Sequence, residues 1–100
     1  MDKLIDIPVS YQEDIKKAIQ ILKENGATEV YIFGSLADGS FHENSDIDIA
    51  VRGIEASIFY KVAGKLMSEL EHDFDLVDLD EEENRFSQML LKIGGLLKVG

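Results

Sequence analysis

Phe33-Gly34-Ser35, ten further residues, and then Asp46-Ile47-Asp48 is the stretch that decides the fold of this chain. Glu29 to Phe33 is a short β-branched and aromatic run, and Ser45 to Val51 alternates without a break, so the pattern predicts two strands. In the second, Asp46, Asp48 and Ala50 take one face and Ile47, Ile49 and Val51 the other. At period two the aspartates project from one face about 6 to 7 Å apart along the strand. Two carboxylates so placed can share a divalent cation. Mg²⁺ takes oxygen ligands and keeps positions open for phosphate oxygens, which suits a nucleotide substrate. Without a cation, their repulsion would raise a pKa or cost stability. Taken alone, a D-x-D is also what the wet face of any half-exposed sheet shows. Gly34-Ser35 changes that reading. It follows a buried-type strand directly and precedes Leu36-Ala37, so Ser35 can open a helical turn whose N–H groups face outward as an anion site. Glycine permits a close backbone approach, and the serine hydroxyl adds a donor for a phosphate oxygen.

Outward from this stretch, Ser10 followed by Glu13 has the form of a capping box. Tyr11, Ile15, Ala18, Ile19 and Leu22 then recur at helical spacing, which predicts a helix over about residues 11 to 24, stopped by Asn25-Gly26. From Ile58 a stripe through Phe59, Val62, Ala63, Leu66, Met67 and Leu70 predicts a second helix ending near Glu71. Asp73 to Leu79 alternates and is a third strand, with Asp75 flanked by Phe74 and Leu76. An aspartate among such neighbours is an odd choice unless it has a cation to bind. Asp80 with Glu83 suggests another capping box, ahead of Phe86, Met89, Leu90 and Ile93 in a helix closed by Gly94-Gly95. Leu96 to Val99 reads as either a short edge strand or a frayed tail.

One hundred residues, 45% hydrophobic and 30% charged, describe a single folded domain over residues 1–100. The absence of cysteine excludes a disulfide framework, a thiolate zinc site and a cysteine nucleophile. The longest apolar runs are only a few residues and the chain opens with Asp2, Lys3 and Asp6. Neither a spanning helix nor a signal peptide is expected, and a cytoplasmic setting is the default. A net charge of -10 argues against nucleic acid held by phosphate neutralisation, which requires a basic footprint.

Gly34-Ser35, ten residues, Asp46-Ile47-Asp48 and a later strand containing Asp75-Leu76-Val77 together resemble the minimal nucleotidyltransferases of the DNA polymerase β superfamily. The resemblance covers most of the chain from about Glu29 onward. It implies an α/β (α+β) nucleotidyltransferase fold: a small mixed sheet of three or four strands with two longer helices packed on one face. It further implies two Mg²⁺ ions held by Asp46, Asp48 and Asp75 as metal ligands and catalytic residues, with Gly34 and Ser35 binding the β- and γ-phosphates of ATP or another nucleoside triphosphate. The reaction implied is transfer of a nucleoside monophosphate, AMP foremost, to a hydroxyl. Family members of this length resemble stand-alone cores paired with an all-helical HEPN-type protein, and some act as antitoxins that add AMP to a tyrosine of that toxin. The chain departs from the family at Ala37-Asp38-Gly39, where an A-R-G stretch is common; the change removes a triphosphate contact. Arg52, Lys61 and Lys65 are the candidate substitutes. Two other readings are a binding module that neutralises a partner by contact and a transferase acting on RNA or a small alcohol. His42 and His72 make no zinc pattern and read as surface histidines.

Overall fold

The first long helix begins earlier than Ser10 would place it. Pro8 is the cap, and its carbonyl accepts from the Tyr11 and Gln12 N–H groups. Proline sets φ for a helix entry and has no side-chain acceptor, so α1 starts without a side-chain cap. The computed structural model describes residues 7–42 and 44–100. Asp2, Lys3 and Asp6, which enter the argument against a signal peptide, lie outside the described residues. So does Glu43.

Helix α1 (Val9–Glu24) buries Tyr11, Ile15, Ala18, Ile21 and Leu22, three or four residues apart, and with them Asp14. Strand β1 (Glu29–Phe33) runs straight into the single-turn helix α2 (Ser35–Asp38). Strand β2 (Ile47–Arg52) starts two residues later than the alternation suggests, leaving Ser45 and Asp46 just outside the ladder. Helix α3 (Ala56–Glu69) leads to β3 (Phe74–Asp78), and α4 (Arg85–Ile93) to a two-residue strand β4 (Leu97–Lys98). The second expected capping box does not form. Asp80 instead accepts from the Gly53 N–H and Arg52, and Asn84 caps α4 by accepting from the Phe86 and Ser87 N–H groups. Glu81, Glu82 and Glu83 precede that helix.

The sheet is mixed, in order β3-β2-β1-β4. Strand β2 is antiparallel to β1 and parallel to β3, while β4 pairs with β1 and settles the choice between edge strand and frayed tail. Ile47, Ile49 and Val51 join Val30 and Ile32 in burying one face against Ile15 and Leu22 of α1 and Val62 and Leu66 of α3. Those are the two longer helices on one face. On the opposite face Phe33, Ala50 and Leu79 pack with Leu90 of α4 and Leu96. Helix α4 therefore covers only part of that second face, and the ends of the strands that carry aspartates stay open.

Candidate active site

The parallel register sets Asp48 of β2 directly beside Asp75 of β3, and the antiparallel register sets it beside Phe33 of β1. Adjacent partners in a sheet share a face, so the two carboxylates stand together on the uncovered half. Asp48 is half-buried and Asp75 exposed. Burial, the charges of Asp75 and Asp46, and a hydrogen bond with Asp75 push the Asp48 carboxyl up to about 6. A proton held between two carboxylates is the usual answer when no cation balances them.

Gly34 is part of the same construction. It caps α2 with φ 72°, in the left-handed region. A Cβ there would overlap the Asp48 carboxylate oxygen and stand 3.2 Å from its Cγ. The close approach that glycine allows is thus that of Asp48 itself. Ser35 opens α2, as expected, and the Ala37 and Asp38 N–H groups close the turn onto the Gly34 carbonyl. A cavity of about 550 Å³ opens beside Gly34, between α2 and the segment Gly94–Leu97.

Asp46, exposed and one residue ahead of β2, is held through its neighbour. The Ile47 N–H donates to the Asp73 carbonyl at 2.9 Å, which brings the segments entering β2 and β3 together. Asp46 and Asp73 share the wall of a smaller pocket of about 210 Å³ with Tyr11 and His72. Among the described residues no three acidic or histidine side chains already converge as a finished metal cluster. The donor set nevertheless fits a hard cation: carboxylates only, two of them in register, and one with its ionisation suppressed by burial and by the other two charges.

Two sequence expectations need correction. His72 is half-buried, with its Nδ1 2.7 Å from the Asp14 carboxylate and its ring stacked on Tyr11 at 3.8 Å between centroids. It is not a surface histidine. The substitutes for the missing arginine are also misplaced. Arg52 sits at the far end of β2, 3.1 Å from Asp80, and Lys61 and Lys65 belong to α3, which packs on the opposite face. The residues that sequence reasoning missed are Tyr11, Asp14 and Asp73. The available signal was Asp14, a carboxylate inside the apolar stripe of a helix.

Residues 16–99 match the polymerase beta nucleotidyltransferase family. The protein adenylyltransferase MntA of Shewanella oneidensis is 37% identical over 83 residues, which are 78% of this chain and 60% of that protein. The chain thus spans about three fifths of the length of this relative. A toxin-antitoxin crystal structure with AMP-PNP superposes with a TM-score of 0.65 at 34% identity, covering 83% of this chain and 69% of the other. The tri-AMPylated HEPN toxin of Shewanella oneidensis in complex with its MNT antitoxin gives a TM-score of 0.53 at 34% identity, over 72% of this chain and 58% of the matched one.

Proposed function

Because the chain belongs to the polymerase beta nucleotidyltransferase family, we propose that it transfers AMP from ATP to a hydroxyl of a HEPN-type helical partner protein, a tyrosine foremost, and so acts as an antitoxin. The observation that carries this reading is the in-register pair of half-buried Asp48 and exposed Asp75 beside the Gly34 turn. Asp46, Asp48 and Asp75 would hold two Mg²⁺ ions, which when bound neutralise the phosphate charge and favour in-line displacement. Gly34 lines the 550 Å³ cavity and Ser35 opens the helical turn that follows it; the two would orient the β- and γ-phosphates, the Ser35 hydroxyl donating a hydrogen bond to a phosphate oxygen.

In the transfer, the acceptor oxygen attacks the α-phosphorus, a P–O bond to the acceptor forms, and the bond to the bridging oxygen breaks with loss of pyrophosphate. The acceptor proton passes to the Asp75 carboxylate, which stands on the edge strand of the sheet and is exposed. The names of the relatives support the choice of donor and acceptor: one is a protein adenylyltransferase, and another sits in a complex with an AMPylated HEPN toxin. The described residues include no helix long and apolar enough to cross a membrane, and a cytoplasmic setting is part of this proposal.

The test is incubation of the chain with a HEPN-type helical protein, ATP and Mg²⁺, read by mass spectrometry. A gain of one or more AMP units on the partner, absent without Mg²⁺ and absent with Asp46→Asn, is expected. Neutralisation of the partner with no mass gain, unaffected by Asp46→Asn, would favour the binding-module reading instead. Asp38 is the observation that favours that second reading, since it stands near the cavity where an arginine would contact phosphate.

A further inference from the structure

We propose that Asp14, His72 and Tyr11 form a positioning relay that fixes Asp46 for cation binding; the proposal rests on the reading of Asp46, Asp48 and Asp75 as the metal site. Asp14 is 1% exposed on a helix face that is otherwise apolar. All four of its hydrogen-bonding contacts go to one short segment ahead of β3. Its carboxylate accepts from the Glu71 N–H at 3.1 and 3.0 Å, from the His72 N–H at 2.8 Å, and from His72 Nδ1 at 2.7 Å. Burial pushes the Asp14 carboxyl up, but the bonds from His72 and Glu71 outweigh it and hold it below the usual carboxylate range. An ionised carboxylate only accepts, so Nδ1 carries the hydrogen and the ring orientation is fixed.

The fixed imidazole then supports Tyr11, whose ring lies on it at 3.8 Å and 21°. The Tyr11 hydroxyl donates to the Ser45 carbonyl at 2.6 Å. That carbonyl belongs to the peptide unit that begins Asp46. Ser45 is itself buried and locked, its Oγ accepting from the His42 N–H at 2.7 Å. Since Asp46 precedes the first ladder residue, Ile47, this peptide is where its direction is set. One end of α1 therefore fastens the lead-in to Asp46 and the lead-in to Asp75 at once. A buried ionic pair is often no better a stabiliser than apolar residues of equal size, and fixing the geometry of these two segments is the role assigned to it here. That role explains a carboxylate here better than stability does.

The experiment measures Mn²⁺ binding to the full chain by electron paramagnetic resonance, alongside thermal melts. Removing an outer partner of a metal ligand weakens binding about 10- to 100-fold. Tyr11→Phe acts through a peptide and not on the carboxylate, so a rise of about 5-fold in the dissociation constant is expected. His72→Phe keeps a stacked ring but loses the bond to Asp14, and should weaken binding in the same direction. Ile15→Val, on the same buried face of α1, is the control: it lowers the melting temperature and should leave Mn²⁺ affinity unchanged. The relay is overturned if whichever of the two ring variants folds binds Mn²⁺ as tightly as the unaltered chain, or if Ile15→Val weakens binding equally. Binding lost in Asp48→Asn but retained in Tyr11→Phe overturns the relay alone. No binding by the unaltered chain overturns the metal reading and the relay with it.

Discussion

Replacing Asp48 with asparagine is expected to make the metal-free protein more stable at neutral pH while abolishing cation binding. In the folded chain the carboxyl is pushed up from 3.8 to about 6 by burial and by Asp75 and Asp46. A raised carboxyl binds its proton more tightly folded than unfolded. Its stabilising contribution is therefore fully present below the unfolded value of 3.8 and is lost as pH rises through about 6. Above that, the folded state carries an ionised Asp48 against two like charges. Asparagine removes the repulsion and still offers an amide N–H to Asp75. At ~1.4 kcal/mol per pH unit the ceiling on the gain is ~3 kcal/mol. Asp48 remains partly open to water, which screens the repulsion, and about 1 kcal/mol is the realistic figure. For a domain of this size that corresponds to roughly 4–8 °C in Tm.

The assay is scanning calorimetry in EDTA for the two proteins across pH. Comparing them cancels the groups they share, among them Asp14, which loses its own contribution only as pH falls through its lowered value. The gap in Tm should be small near pH 4 and open by several degrees at about pH 7.5. Added Mg²⁺ should raise Tm for the unaltered chain and leave the variant where it was, because only a ligand bound to the folded state stabilises it. An asparagine variant that melts below the unaltered chain at neutral pH would refute the reasoning, as would a gap that does not change with pH.

Gly34→Ala combines a positive φ with an overlap at Asp48; thermal melts should show a loss of about 1–3 kcal/mol, and Mn²⁺ titration should show binding abolished as the carboxylate is displaced. Ser35→Ala should leave the melt unchanged and cost about 1.5–3 kcal/mol of AMP-PNP affinity by calorimetry, the worth of a hydrogen bond to a charged group. Asp38→Ala removes a carboxylate that the Ser40 Oγ and N–H hold below its ordinary range. It should tighten AMP-PNP binding severalfold at low salt, and less at high salt, where exposed charges are screened.

Most of the fold could be read from periodicity because burial enforces it. Ile47, Ile49 and Val51 are each fully enclosed, and a slip of one residue would turn Asp46 and Asp48 into that core. The helix ends were less legible. Ser10-Glu13 and Asp80-Glu83 have the right types at the right spacing, yet capping depends on which competing partner is near. Pro8 already starts α1, and Asp80 is engaged by Arg52 and Gly53, which are 27 or more residues away in sequence. Asn84 caps α4 because it stands where its side chain can reach two N–H groups.

The site divides in the same way. Asp46, Asp48, Gly34 and Ser35 lie within one strand-turn-strand unit, so local spacing alone proposes them, and parallel pairing then supplies Asp75 from 27 residues further on. What local spacing cannot reach is a contact with |i−j| of 57 or 58, which is what joins Asp14 to Glu71 and His72. The sequence marks such a contact only as a contradiction: a carboxylate in the apolar stripe of α1, between Tyr11 and Ala18 on the buried face. A buried charge requires partners, and these must come from whatever the fold lays against that helix. Here that is the turn ahead of β3, beside the acidic face. The same helix turn that closes the core thereby reaches the Ser45 peptide, and through it the strand end where Asp46 must be aimed.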